Sequence, residues 1–291
     1  MFELKKILLP VDFSDRCREA IRYAIPPLVQ RFDCELTLLH VLPPHLEFGS
    51  SEMGISLSGE YLLQRRKASA EQLETFLHDE LRGFNINRVL LEGDPARKII
   101  ESADSAGSDL ILMPTHGYGP FRRMLLGSVT SKVLHDAECA VWTGAHFQAT
   151  PSEGSIRLRK VLCAIDLGPN SASTLEWASK LSTEFQAKLT LVHVITSLNP
   201  RTEDYYFAPE WRKFLIDRAR EEMETLQQLV KTKAEVELEM GDVAKAVCAA
   251  ADLNQADLIV VGRGSITGTL GRFRTQTYTI IRESPCPVVS V

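Results

Sequence analysis

An internal repeat limits what this chain can fold into more than any other feature of it. "KKILLPVDFSD" at 5–15 returns as "RKVLCAIDLGP" at 159–169, and "CELTLLHVL" at 34–42 returns as "AKLTLVHVI" at 187–195. "LEGDPARKII" at 91–100 matches "EMGDVAKAVC" at 239–248, "SDLILMPTHG" at 108–117 matches "ADLIVVGRG" at 256–264, and "AECAVWTG" at 137–144 matches "SPCPVVSV" at 284–291. Five blocks recurring in one order mean one fold built twice. The length of 291 residues agrees, since it exceeds the usual single domain and divides into two of ordinary size. The expected division is 1–146 and 156–291, joined by a Gly/Ser/Pro-bearing linker at 147–155.

The recurring blocks are short, nearly continuous runs of Val, Ile and Leu, the pattern of parallel strands covered on both faces. Helical patterns lie between them. In "SDRCREAIRYAIPPLVQRF", Ala20, Ile21, Ala24, Ile25, Leu28 and Phe32 share one face, Ser14 is suited to cap the start, and Pro26 and Pro27 are expected to kink or shorten the helix. "YLLQRRKASAEQLETFLHDEL" carries apolar residues at 62, 63, 70, 73, 76, 77 and 81, which predicts a second amphipathic helix. Asp94 followed by Pro95 is a strong helix start. Alternating strands and helices predict an α/β fold: two tandem, doubly wound, Rossmann-like domains with open parallel sheets.

Composition excludes several classes. A formal charge of −5 and a pI near 5.9 argue against a general nucleic-acid binder, which needs a basic excess to neutralise phosphates. The six cysteines, at 17, 34, 139, 163, 248 and 286, form no Cys-x-x-Cys pair and read as small buried hydrophobes in a reducing, cytoplasmic setting. "MFELKKILLPVDF" is too short in its apolar run for a signal-peptide core or a spanning helix, so no membrane role is expected.

Open α/β sheets bind ligands beyond the carboxyl ends of their strands, which points to Pro10-Val11-Asp12, His40-Val41 and the residues from Met113 onward. The Gly-x-Gly-x-x-Gly fingerprint, a Walker A loop, a Gly-x-Ser-x-Gly elbow and His-Glu-x-x-His are all absent. Ser128 and His116 have no orienting acid or oxyanion arrangement, so no catalytic residues and no metal ligands are assigned. What remains is His116-Gly117, nine residues, then Gly127-Ser128-Val129-Thr130. The two glycines admit close backbone approach, a helix starting near Ser128 offers free N–H groups to phosphate, and Ser128 and Thr130 add hydroxyl donors.

"ILLPVDFSD", "LLHV", "DLILMPTHG" and "LLGSVTSKVL" together resemble the universal stress protein family in its tandem two-domain form, over essentially the whole chain. The resemblance implies a stress-response protein that binds ATP, with or without Mg, in its first domain and acts as a nucleotide-dependent regulator of an unknown protein partner. The alternatives are a scaffold or chaperone-like protein without nucleotide and, more weakly, a slow ATP-hydrolysing or adenylate-using enzyme. Carried over by position, Pro10, Val11, Asp12 and Val41 line the adenine and ribose end, while Met113, His116, Gly117, Gly127, Ser128, Val129 and Thr130 surround the ribose and phosphates. Pro114 departs from the pattern, standing at its first glycine position, where it removes one backbone donor. In the second half Arg274-Thr275 replace Gly-Ser, so that domain is expected to have lost ordinary ATP binding. The family also implies that "CAVWTG" and "CPVVSV" associate between domains, making the halves an intramolecular pseudo-dimer, with a further homodimer open.

Blander roles compete at several positions. Asp12 and Asp166 suit a helix cap or turn, His40 and His193 suit structural histidines at a strand end, and His116 suits a turn. Arg122 and Arg123 face either a phosphate or solvent, and "RTEDYYFAPEW" at 201–211 is either a lid or packing for its own domain.

Overall fold

The computed structural model describes residues 2–44, 59–115, 126–144, 156–196, 209–263 and 271–291, the backbone alone at 271–275. The first copy runs β1 (Lys6–Pro10), α1 (Asp15–Phe32), β2 (Glu35–Leu42), α2 (Gly59–Thr75), β3 (Ile86–Glu92), α3 (Pro95–Ala106), β4 (Leu110–Leu112), α4 (Ser128–Asp136) and β5 (Ala140–Thr143). The second runs β6 (Lys160–Ala164), α5 (Ser171–Phe185), β7 (Lys188–Ile195), α6 (Pro209–Val230), β8 (Glu235–Met240), α7 (Val243–Asn254), β9 (Leu258–Val261), α8 (Gly271–Glu283) and β10 (Val288–Ser290).

The strands form one sheet in the order β3-β2-β1-β4-β5-β10-β9-β6-β7-β8, the same succession of roles read from either edge. Neighbours are parallel within each half, as the apolar runs require. At the seam β5 and β10 pair antiparallel, Val141 to Ser290, Trp142 to Val289 and Thr143 to Val288. Each half thus closes an edge of the other. Trp142 and Val289 are fully buried there, so the seam lies within the core.

Side chains alternate along each strand between two apolar layers. Ile7 and Leu9 of β1 pack with Leu28 of α1, Leu73 of α2, Leu181 of α5 and Met223 of α6. Leu8 faces the other way, into the layer holding Ile99 of α3, Val133 of α4, Val247 of α7 and Ile280 of α8. Asp109 and Asp257 keep one task in both copies: each carboxylate accepts two backbone amides at the start of the neighbouring strand, Lys5 and Lys6 at 2.7 and 2.9 Å, Arg159 and Lys160 at 2.7 and 2.9 Å.

Two expectations are corrected. Of the kink or shortening expected from Pro26 and Pro27, the shortening does not occur, and α1 continues to Phe32. Pro27 has no N–H for the Tyr23 carbonyl four residues back, and that carbonyl accepts instead from the Ile156 amide at 2.9 Å. The second amphipathic helix stops at Thr75 rather than running to Leu81, and Leu77 adopts the left-handed region at φ 55°. Leu73, Phe76, Leu77 and Leu81 are buried, but Leu62 and Leu63 are 44% and 72% exposed.

The linker at 147–155 lies outside the described residues, as do 201–208 of the aromatic segment. Trp211 belongs to α6 and stacks on Phe214 with ring centroids 5.3 Å apart. No described helix is long and apolar enough to cross a membrane.

Candidate functional site

β1 lies between β2 and β4, so the chain reverses its direction of travel across the sheet there, the switch point at which open α/β sheets hold ligands beyond their carboxyl strand ends. Pro10 ends β1, and Val11 continues its line by donating to the Leu39 carbonyl at 2.8 Å. Met113 continues β4 by donating to the Trp142 carbonyl at 3.0 Å. Val11, Val41 and Met113 are buried; Val11 faces the α1 layer, while Val41 and Met113 face the α3 and α4 layer. Pro10, Val11, Asp12, Val41 and Met113 therefore meet at the ends of three adjacent strands.

The turn after Val11 is built locally. Asp12 Oδ1 accepts from the Ser14 amide at 3.0 Å and the Ser14 hydroxyl at 2.6 Å, and the same hydroxyl accepts from the Cys17 amide at 3.2 Å, capping α1. Between them Phe13 takes φ 64°, a left-handed conformation that costs about 1–2 kcal/mol for a residue with a Cβ. Its ring lies 4.3 Å from His40 and 5.4 Å from Phe76, which holds it there. Asp12 is thus a turn-closing residue through Oδ1, while Oδ2 makes no hydrogen bond among the described residues.

His40 Nδ1 stands 2.7 Å from the Val11 carbonyl, which only accepts, so Nδ1 carries the proton. Burial pushes the His40 pKa below the ordinary histidine range, partly opposed by that bond. The ring is a neutral strut. The second copy repeats the arrangement: Asp166 Oδ1 accepts from the Gly168 amide and the Ser171 hydroxyl at 2.9 and 2.8 Å, Leu167 takes φ 58°, and His193 Nδ1 lies 2.8 Å from the Ile165 carbonyl.

α4 begins at Ser128 with Gly127 as its cap, and Gly127 makes no side-chain capping bond. Its φ of −58° suits any residue, so the glycine matters here for its missing side chain. The amides of Ser128, Val129 and Thr130 have no acceptor within the helix and sit at its positive end. Two bonds dock this end against the exit of β4: the Gly127 amide to the Thr115 carbonyl at 3.1 Å and the Thr130 hydroxyl to the Pro114 carbonyl at 3.2 Å. The second of these corrects an expectation. Thr130 is buried and its hydroxyl is committed to Pro114, which leaves its amide as its uncommitted donor within the helix. Pro114 is the acceptor in that link, and Thr115 extends it to the Gly144 carbonyl at 3.3 Å. His116, Gly117, Arg122 and Arg123 lie outside the described residues.

The matching crevice of the second copy holds a cavity of about 270 Å³, lined by Ala164, Ile165, Asp166, Val194, Val261 and Gln276 among others. Its helix differs from α4. α8 begins at Gly271, four residues before Thr275, the residue that matches Ser128. The amides of Thr275, Gln276 and Thr277 therefore have helical acceptors four residues back, and none is left for an anion. At these positions the two copies differ in backbone as well as in the Arg274 side chain that the sequence pointed to.

Sequence reading missed two residues that reach α4 from the second half. The Tyr278 hydroxyl donates to the Ser131 carbonyl in the first turn at 3.2 Å. The Arg263 guanidinium donates to the carbonyls of Ala137 and of Cys139, the latter at 2.6 Å, and more weakly to Glu138 at 3.4 Å. Their positions match Ser131 and Thr115 of the first copy, so neither residue type is repeated and the repeat itself carried no signal for them.

Burial pushes the thiol of Cys17, beside the Pro10 carbonyl, up to about 12 and those of half-buried Cys139 and Cys248 up to about 11, which disfavours their thiolates.

The family model for the universal stress protein family matches residues 3–143 and again 157–291. A universal stress protein of Methanocaldococcus jannaschii is 35% identical over 138 residues, covering 47% of this chain and 79% of its own length. One from Mycolicibacterium smegmatis is 26% identical over 282 residues, 91% of this chain and 90% of its own. The crystal structure of a universal stress protein from Archaeoglobus fulgidus covers 99% of this chain and 98% of its own with a TM-score of 0.71 at 24% identity, a likeness of fold.

Proposed function

The chain belongs to the universal stress protein family in its tandem form, and we propose that its first domain binds ATP and that occupancy alters contacts with a protein partner. The domains of this reading are 1–146 and 156–291, with 147–155 joining them, in a cytoplasmic protein. One observation carries it: the uncapped start of α4, with three amides lacking helical acceptors, is docked at the exit of β4, the strand next to β1. A phosphate accepting those amides gains on the order of 1.5–3 kcal/mol from each good bond, less where water competes. Val11, Val41 and Met113 supply an apolar floor for a base, and Oδ2 of Asp12 is an acceptor for a ribose hydroxyl. Pro114 removes one amide at the rim but leaves the α4 donors in place.

Calorimetric titration of the intact chain with ATP, with and without Mg²⁺, tests this. One ATP per chain is expected, and Gly127→Arg, which copies the second domain, is expected to abolish it while the circular dichroism spectrum stays unchanged. No heat with the intact chain refutes the reading. Binding that survives Gly127→Arg puts the phosphates elsewhere and refutes the site, and sustained turnover of ATP favours an enzyme.

A further inference from the structure

We propose that the second copy binds a neutral polyhydroxylated molecule, a monosaccharide or a polyol, in a cleft at the amino ends of β7 and β8. These are the strand ends opposite to those that the ATP reading uses, and the proposal does not rest on that reading. The cleft measures about 550 Å³, within the span of small-molecule sites, roughly 300–1,000 Å³. Its walls are the last turns of α5, with Ser179, Ser182 and Thr183, the cap residue Gln186, and the connection from α6 to β8 that carries Thr232.

Comparison of the two copies shows how the cleft arises. Asp33 and Gln186 end α1 and α5 in the left-handed region, and Gly83 and Lys231 take positive φ before β3 and β8, which fixes the match of positions. On that match Val29 and Phe84, which pack in the apolar core of the first copy, correspond to Ser182 and Thr232. Leu81, 2% exposed, corresponds to Leu229, 71% exposed. The first copy covers with apolar side chains the place that the second opens and lines with hydroxyls.

The lining suits a partner that both donates and accepts. Ser182 is 4% exposed, and its hydroxyl has no hydrogen-bond partner among the described residues, a state that buried polar groups rarely keep. The Ser179 hydroxyl donates to the Thr232 hydroxyl at 3.1 Å, which leaves Thr232 its own proton to give. Charge then selects the class. The cleft is walled by the last turns of α5 and by residues just past the end of α6, so two negative helix ends border it and disfavour an anion. Lys188 and Lys233 stand in the same wall, Lys188 paired to Glu235 at 2.7 Å, and they disfavour a cation. A neutral ligand with several hydroxyls meets neither objection.

NMR titration of the full chain, labelled with ¹⁵N, with glucose and separately with sorbitol tests this. At least one of them is expected to bind with a millimolar or lower Kd and to shift the amides of Ser182, Gln186 and Thr232. Ser182→Val, which copies the first domain, should weaken that binding at least about tenfold with no loss of stability in urea unfolding. Thr232→Phe, which copies Phe84, should weaken it likewise and serves if Ser182→Val fails to fold. Absence of binding by both probes, shifts confined to the carboxyl strand ends, indifference to both substitutions, or tighter binding of inorganic phosphate than of either probe overturns the proposal.

Discussion

Arg263→Met separates the charge of the cross-domain tie from its apolar stem. The Arg263 amide is fixed to the Val291 carbonyl at 2.8 Å, so the backbone position survives the change. What disappears is a guanidinium bonded to the carbonyls of Ala137 and Cys139 and weakly to Glu138, just beyond the C-terminus of α4. Among the described residues no carboxylate pairs with it, so its charge is met by carbonyls at the negative end of the helix. Burial pushes its pKa down, but an arginine stays charged at any pH of interest. A hydrogen bond to a charged group contributes about 1.5–3 kcal/mol, and two of the three are good ones. Water reaches the freed carbonyls beside exposed Glu138, and the cost of desolvating the guanidinium is relieved, which offsets part of the loss. The net cost is about 2 kcal/mol, or a fall in Tm of about 4 °C for a chain of this size. Urea unfolding followed by circular dichroism measures it. A loss below about 0.5 kcal/mol at unchanged m-value, within the range of ordinary surface substitutions, refutes the clamp.

Tyr278→Phe removes the bond to Ser131 in the first turn of α4, so it should weaken ATP binding several-fold at nearly unchanged stability; titration calorimetry with equal affinities would disprove the link. Ser14→Ala removes the α1 cap and the Asp12 partner together and should cost about 1 kcal/mol in chemical denaturation. For His40 the folded pKa lies below the unfolded one because burial disfavours the charged ring, so the stability it contributes is present above about pH 6.5 and is lost as pH falls through the folded value. His40→Gln should flatten that slope, and an NMR titration midpoint above 6.5 would contradict it. Arg274→Gly with Thr275→Ser restores the first-domain residues in the second; ATP is expected to bind there only if the start of α8 also retreats, so gain of a second ATP with unchanged helicity would contradict the backbone explanation.

The repeat made the fold legible because parallel strands buried on both faces must be apolar throughout, and five such blocks in one order leave few other arrangements. The caps at Ser14 and Asp94 were legible for a like reason: donor and acceptor are three residues apart. The shortening expected from the prolines of α1 failed because their compensation is remote. The carbonyl that Pro27 leaves open is taken by Ile156, on the far side of the linker, and local propensity holds no trace of it. Arg263 and Tyr278 escaped notice likewise, since their acceptors lie more than a hundred residues away. Thr130 carried the right residue type for a phosphate donor, yet its hydroxyl was claimed by a neighbour that the sequence presents only as a helix-breaking proline.

Divergence of the two copies is clearest where α4 and α8 begin. Leu126 and Gly127 are not helical, whereas the matching Phe273 and Arg274 lie within α8. Glycine is roughly 1 kcal/mol poorer than arginine inside a helix, so Gly127 ends the helical run where Arg274 lets it continue back to Gly271. One added turn places three amides inside the ladder, and one turn of free amides is the whole of an anion cradle. Apolar walls do not depend on that turn, and the cavity at the second crevice keeps Ile165 and Val194 in the places of Val11 and Val41. Two side chains of the second copy bond the backbone at this helix, Tyr278 to Ser131 in its first turn and Arg263 to Ala137 and Cys139 just beyond its end. The second copy is thereby bonded to the helix whose first turn carries the proposed phosphate site.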